Sequence, residues 1–106
     1  MNLWYILDVE NKPVKATTDE YREWIKAHAN RKVIGKTNIG KAFISTVFLA
    51  LDHSDGIGGL PILWETMIFS DDANDQFQER YTSQEKAVKG HEKAVRATIE
   101  GSVIEY

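Results

Sequence analysis

The sequence has no cysteine and no long apolar run among its 106 residues. Without cysteine the chain has no thiol nucleophile, no thiolate ligand for a metal and no disulfide. No stretch approaches the roughly 20 apolar residues of a membrane-spanning helix. The opening residues, MNLWYILDVENK, lack the basic flank and cleavage site of a signal peptide. We therefore expect a cytoplasmic protein that does not associate with membranes.

An excess of one charge sign is also missing. The 13 basic and 16 acidic residues are interspersed and leave a formal net charge of −3. Nucleic-acid binders usually present a basic face, because neutralising phosphates supplies much of their affinity. Only residues 31–41 carry several basic side chains without an acidic one, and this patch is small. Nucleic-acid binding is therefore not expected.

Several segments have patterns typical of β-strands. They are residues 3–9, 14–16, 43–51, 62–69 and 76–81, with a weaker candidate at 32–37. In residues 43–51, Phe43 and Val47 fall on one face of the strand, and Ile44 and Phe48 fall on the other. Apolar side chains on both faces predict a central strand that is covered, at least partly, on both sides. Residues 62–69 are its natural partner, after a loop longer than most hairpin loops.

Two helices are predicted from their start signals and apolar stripes. Thr17 and Glu20 have the spacing of a capping box, and so do Thr82 and Glu85. The second helix is expected to run from about residue 83 to 99 and to stop at Gly101. Its apolar stripe contains Ala87, Val88, Ala94, Val95 and Ile99. Because His91 completes this stripe, we expect it to face the sheet.

These elements predict an α+β fold in one domain, residues 1–106. A mostly antiparallel sheet of about four to five strands would carry two helices packed on it, in the order ββαβββα. A chain of this length can bury one core without a metal or a disulfide.

The candidate functional residues are two histidines and a carboxylate. Glu65 lies within an apolar strand pattern, where an isolated charge would be costly, so it is expected to be paired or to face a ligand. Together with His53 and His91, it has the composition of a zinc or iron site with an open position. No HExxH, HxH or HxxxH spacing supports such a site. A structural ion pair at Glu65 and a hydrogen-bonded core histidine at His91 are the favoured interpretations.

Three blocks, STVFLALDH, LWETMIF and ERYTSQEKAVKGH, resemble a family of small proteins of phages and prophages. The resemblance spans about residues 24–95, although the loop SDGIGGLP has fewer prolines than the family pattern. The resemblance implies a protein made in the bacterial cytoplasm, and it supplies no reaction. Its motif positions are Asp52, His53, Glu65, Thr66, Met67, Arg80, Tyr81, Gly90 and His91.

The favoured hypothesis is a phage accessory protein, without a catalytic role, that binds a host protein or a small anionic molecule and possesses no cofactor. An antagonist of host defence is one version of it. The expected binding residues are Asp52, His53, Glu65, Arg80, Tyr81 and His91. One alternative is a small metal- or carboxylate-dependent hydrolase acting on a nucleotide-like substrate, with Glu65 as general base. Another is a structural or assembly component that forms homo-oligomers.

Overall fold

The computed structural model describes residues 4–54, 59–70 and 77–104 of the chain. In chain order the elements are β1 (Trp4–Leu7), β2 (Pro13–Ala16), α1 (Thr18–His28), a 3-10 turn (Ala29–Lys32), β3 (Val33–Ile39), β4 (Ala42–Phe48), β5 (Trp64–Phe69), β6 (Phe77–Tyr81) and α2 (Gln84–Ile104). The predicted α+β fold is confirmed. The weakest strand candidate, residues 32–37, forms the full strand β3, so the order is ββαββββα.

The strands form two antiparallel sheets. β1 and β2 make a separate hairpin, and the other four strands lie side by side in the order β3-β4-β5-β6. β3 and β4 are joined by a tight turn in which Gly40 has a φ of +57°, a conformation that glycine adopts without a steric penalty. β4 pairs with β5 so that Thr46 lies opposite Thr66 and Phe43 lies opposite Phe69.

β4 is shorter than the predicted strand 43–51. It ends at Phe48, and Ala50 takes a positive φ of 67°, which turns the chain away from the direction of the strand. The carbonyl of Ala50 then accepts a hydrogen bond of 2.7 Å from the Tyr5 backbone amide. Leu51 forms an isolated bridge with Trp4. This turn therefore joins the β1–β2 hairpin to the end of the large sheet.

α1 begins as the sequence predicts. Thr17 is the N-cap, its side chain accepts a hydrogen bond from the Glu20 amide, and the Glu20 side chain accepts one from the Thr17 amide. Trp24, on the inward side of α1, is buried and meets the Phe48 ring edge-on at 5.9 Å between centroids. α1 thereby packs at the end of the large sheet.

α2 differs from its prediction at both ends. The Ser83 hydroxyl accepts a hydrogen bond from the Lys86 amide, so Ser83 caps the helix and the predicted Thr82–Glu85 box does not form. The helix continues through Gly101 to Ile104. Val88 and Ile99, predicted to lie on the buried stripe, are 40% and 47% exposed.

α2 lies on one side of the four-stranded sheet, which we call the inner face. α2 contacts all four strands there, and α1 reaches the same face through Phe48. The core cluster includes Leu7, Trp24, Phe48, Ala50, Leu63, Trp64, Tyr81 and Ala87. On the opposite side, the outer face, no described α-helix or hairpin makes close backbone contacts. Besides α2, the described element that contacts strands of this sheet is the 3-10 turn that leads into β3, which contacts β3 and β4. The prediction that β4 is central is confirmed, but the described elements cover only one of its faces.

Candidate functional site

A row of hydroxyl groups crosses the inner face beneath α2. Each of the four strands contributes one residue: Thr37 from β3, Thr46 from β4, Thr66 from β5 and Tyr81 from β6. The Tyr81 hydroxyl donates to Thr66 Oγ1 at 3.0 Å, and Thr66 and Thr46 share a hydrogen bond of 2.6 Å. His91 joins Thr46 through Nδ1 at 2.7 Å and Thr37 through Nε2 at 2.9 Å. The row therefore uses both nitrogens of the imidazole.

One arrangement of protons satisfies the buried part of this row. If Tyr81 donates to Thr66, Thr66 can donate to Thr46, and Thr46 can donate to His91 Nδ1. His91 is then the neutral Nε2–H tautomer and donates to Thr37. Because Tyr81 donates to Thr66, a Thr46 hydroxyl that also donated to Thr66 would leave the hydroxyl hydrogen of the fully buried Thr66 without an acceptor in the row.

The environment of His91 favours the neutral imidazole. Burial lowers the pKa of His91, and the nearby Glu92 carboxylate opposes this effect only in part. Burial also raises the pKa of Tyr81, against the hydrogen bond to Thr66, which lowers it. Both groups are therefore uncharged at neutral pH, as a buried hydrogen-bonded row requires.

Two glycines leave room for the side chains of His91 and Tyr81: Gly35 lies against the His91 ring, and Gly90 lies against the Tyr81 ring. A Cβ at Gly35 would lie 2.9 Å from His91 Nε2. A Cβ at Gly90, one helical residue before His91, would overlap the phenol ring of Tyr81. Gly35 and Gly90 are thus needed for close packing rather than for an unusual backbone angle.

Glu65 lies on the outer face, where β5 pairs with β6 and Glu65 stands opposite Arg80. Its Oε2 accepts hydrogen bonds from Arg80 Nε at 2.9 Å and from Gln78 Nε2 at 2.5 Å. The Glu65 side chain is 11% exposed and that of Arg80 is 40% exposed. Glu65 is thus a supported carboxylate with a cross-strand cation, as the sequence favours.

Asp52 and His53 lie just beyond β4. Asp52 Oδ1 accepts hydrogen bonds from the backbone amides of Ser54 at 2.8 Å and Ile62 at 3.0 Å. Burial raises the pKa of Asp52, but these hydrogen bonds outweigh it and hold the pKa below its ordinary value. His53 is exposed, and its Nδ1 lies 2.6 Å from the Leu51 carbonyl oxygen. The middle of the loop, residues 55–58, lies outside the described residues.

The structure divides the candidate residues among three places. His91 and Tyr81 belong to the inner row, Glu65 and Arg80 to the outer face, and Asp52 and His53 to the loop end of the sheet. Since the sheet lies between His91 and Glu65, the three-residue metal site of His53, Glu65 and His91 does not form. Among residues 4–54, 59–70 and 77–104, no group of three His, Asp or Glu residues could hold a metal ion.

The outer face itself combines apolar and charged side chains. The rings of Phe43 and Phe69 stack across β4 and β5 with centroids 6.2 Å apart, and Phe69 is 49% exposed. Strand alternation and the observed register put eleven described residues on this face: Val33, Lys36, Asn38, Phe43, Ser45, Val47, Glu65, Met67, Phe69, Gln78 and Arg80. Five of them are apolar, which is unusual for a sheet face that has no covering layer.

The sequence interpretation gave no role to Thr66, although it lies at a motif position, and it missed the outer face and three further residues: Thr37, Thr46 and Gln78. Thr46 and Thr66 stand in otherwise apolar strands at positions that alternate with Val47 and Glu65, and a threonine in such a place usually needs a hydrogen-bond partner. Gln78 stands two residues before Arg80, on the same face of β6. These patterns were available, but the strand register was needed to connect them.

Comparisons with protein-family models, with curated proteins and with solved structures find no match to this chain. The phage-family resemblance therefore stays a prediction. In the part of the chain that the structure describes, no helix is long and apolar enough to cross a membrane.

Proposed function

We propose that this chain is a small accessory protein of a phage or prophage that acts by binding another protein chain in the bacterial cytoplasm. The outer face of its sheet is the binding surface. The observation that carries the proposal is that this face is rich in apolar side chains and has no described layer packed on it.

The partners of the candidate residues favour binding over catalysis. The polar atoms of His91 and Tyr81 are hydrogen-bonded within the row of hydroxyl groups on the inner face. One carboxylate oxygen of Asp52 accepts hydrogen bonds from two backbone amides of the loop. Glu65 is held by Arg80 and Gln78. A general base must reach the proton it removes, together with a second group placed for the same substrate. The described positions of these residues do not provide that arrangement.

The composition of the outer face suits a protein partner. Aromatic residues, Met and Arg are enriched in protein interfaces, where an apolar centre is surrounded by polar groups. Here Phe43, Met67 and Phe69 form the centre, and Lys36 and Arg80 stand on the edge strands. A small anion is less well served, because Arg80 Nε is already bonded to Glu65.

Two matched substitutions test this function. Phe69 on the outer face and Ile99 on α2 are large apolar residues of nearly equal exposure, 49% and 47%. Affinity-tagged wild type, Phe69→Asp and Ile99→Asp would each be co-expressed with an untagged copy and incubated with bacterial lysate. We expect wild type and Ile99→Asp to retain another chain, whether a lysate protein or the untagged copy, and Phe69→Asp to lose it.

Circular dichroism of all three proteins establishes that the comparison is between folded chains. A wild-type protein that retains no second chain would contradict the proposal. Capture that Phe69→Asp leaves unchanged would also contradict it, because binding would then use another surface.

A further inference from the structure

The outer face carries more apolar side chains than a sheet surface in water usually does. An antiparallel sheet with one solvated face normally alternates apolar residues inward with polar residues outward. In β4 the outward residues Phe43 and Val47 are apolar, whereas the inward Thr46 is polar. The sequence pattern of β4 is that of a strand covered on both faces, and the second cover is not among the described elements.

We propose that the outer face binds a second copy of this chain, so that two four-stranded sheets pack face to face in a symmetric dimer. This inference rests on the proposed function, since it names the partner of the same surface. Sheets stacked in this way lie about 10 Å apart with their strands within about 30° of each other.

The register makes the outer face complementary to itself. Consider a two-fold axis that runs parallel to the strands, between β4 and β5. Phe43 and Phe69 are cross-strand partners. Phe43 of each copy would then lie over Phe69 of the other copy, which gives a cluster of four aromatic rings. Ser45 would lie over Met67 in the same way, and the small hydroxyl side chain leaves room for the longer thioether.

The same axis keeps the two Lys36 side chains apart. β3 of one copy lies over β6 of the other, so Lys36 faces Gln78, its row partner on the far edge of the sheet. The two Lys36 residues are then separated by at least three strand spacings, about 14 Å, which exceeds the Debye length of about 8 Å at physiological salt. Glu65 lies beside the axis, over Val47 of the second copy, and Arg80 of its own copy neutralises its charge.

The test is the mass of the purified chain in solution, measured by sedimentation equilibrium over a range of concentrations. We expect wild type and Ile99→Asp to reach twice 12.1 kDa. Phe69→Asp should weaken dimerisation by at least about a hundred-fold, because each dimer would bury two new carboxylates. Circular dichroism would show that Phe69→Asp remains folded.

Cross-linking tests the arrangement of the two copies. The chain has no cysteine, so Ser45→Cys and Ile99→Cys each introduce a single thiol. A short bismaleimide should join two copies of Ser45→Cys, which lies beside the axis, and should leave Ile99→Cys unlinked.

The remaining outcomes separate this inference from the proposed function. The inference would be overturned if Phe69→Asp dimerised as strongly as wild type and Ser45→Cys did not cross-link. A monomer would also overturn it. If that monomer still captures a lysate protein in a Phe69-dependent manner, the proposed function stands with a different partner, and without such capture both fail.

Discussion

Thr46, Thr66 and His91 place polar atoms between the sheet and α2, in a layer that is mostly apolar in folded proteins. Their hydrogen bonds cost little only while every partner is in place, because a buried polar group without a partner destabilises the fold by about 1–3 kcal/mol. A slip of β5 by one residue against β4 would separate the two threonine hydroxyls, which are 2.6 Å apart, and expose the core side of the strand. The row therefore contributes register specificity to the sheet.

Stability should depend on pH through His91. Burial lowers the pKa of His91 in the folded chain, whereas an unfolded histidine has a pKa of about 6.5. Between these values the unfolded chain binds more protons, so the free energy of unfolding rises with pH and falls as the solution is acidified below about 6.5. Urea unfolding of wild type and His91→Gln across this range should show a smaller pH-dependent decrease in the variant.

The control is His53→Gln, which removes an exposed histidine at the loop. It should preserve the pH dependence of wild type. If His91→Gln and wild type lose stability in parallel on acidification, the imidazole does not carry this effect.

Position 90 of α2 has room only for glycine, because Tyr81 packs directly against it. A methyl group there would overlap the ring of Tyr81, and overpacking of this kind usually costs about 1–3 kcal/mol. The higher helix propensity of alanine returns only about 1 kcal/mol. Because the overlap is with a ring, its cost should lie in the upper part of this range, about 2–3 kcal/mol. We therefore expect Gly90→Ala to lower the free energy of unfolding by about 1–2 kcal/mol in urea titrations.

Lys89→Ala is a matched control, because residue 89 is the exposed neighbour of Gly90 on the same helix. It should change stability by less than about 0.5 kcal/mol. Equal stability of Gly90→Ala and wild type would mean that α2 moves away from Tyr81 without cost.

At the scale of elements, the sequence predicted the start of α1 better than it predicted the ends of α2. The capping box at Thr17 and Glu20 fixes the start of α1, since two residues three positions apart satisfy each other's amides. At α2 the adjacent Thr82 and Ser83 are both good caps, and the structure uses Ser83. Gly101 suggested a stop, yet the helix continues to Ile104, because glycine inside a helix costs only about 1 kcal/mol.

The candidate site could be predicted only residue by residue. Helical spacing placed His91 toward the sheet correctly, and the apolar context of Glu65 indicated a paired carboxylate correctly. Which sheet face each occupies depends on which side receives α2, and the apolar residues on both faces of β4 left that choice open. For this reason the sequence could not show that Glu65 and His91 lie on opposite faces of the sheet.

The Glu65–Arg80 pair should stabilise the pairing of β5 with β6. Its Arg80 side chain is 40% exposed, so solvent screening keeps the interaction modest even though Glu65 is nearly buried. A double-mutant cycle with Glu65→Gln and Arg80→Met should give a coupling energy of about 0.5–1.5 kcal/mol in urea unfolding.

A second cycle of Glu65→Gln with Lys36→Met is the comparison, because Lys36 stands on the outer face at the far strand β3. Its coupling should be close to zero. A Glu65–Arg80 coupling as small as this one would show that Gln78 alone supports the carboxylate.

At the scale of the whole molecule, net charge and surface polarity act in opposite directions on self-association. Each chain carries a formal charge of −3, so two copies repel each other at long range. The outer face attracts a second copy through apolar contact, which does not depend on opposite charges across the interface. The sign of the salt dependence therefore reveals which interaction holds the dimer.

Added salt should strengthen the dimer. Raising NaCl from about 0.05 M to about 0.5 M shortens the Debye length from about 14 Å to about 4 Å, which screens the repulsion between two acidic chains. We expect the dissociation constant from sedimentation equilibrium to fall by about two- to three-fold, with Ile99→Asp, one unit more acidic, showing a steeper fall. A dissociation constant that rises with salt would instead mean that attractive charge pairs join the copies, and the apolar outer face would not be their interface.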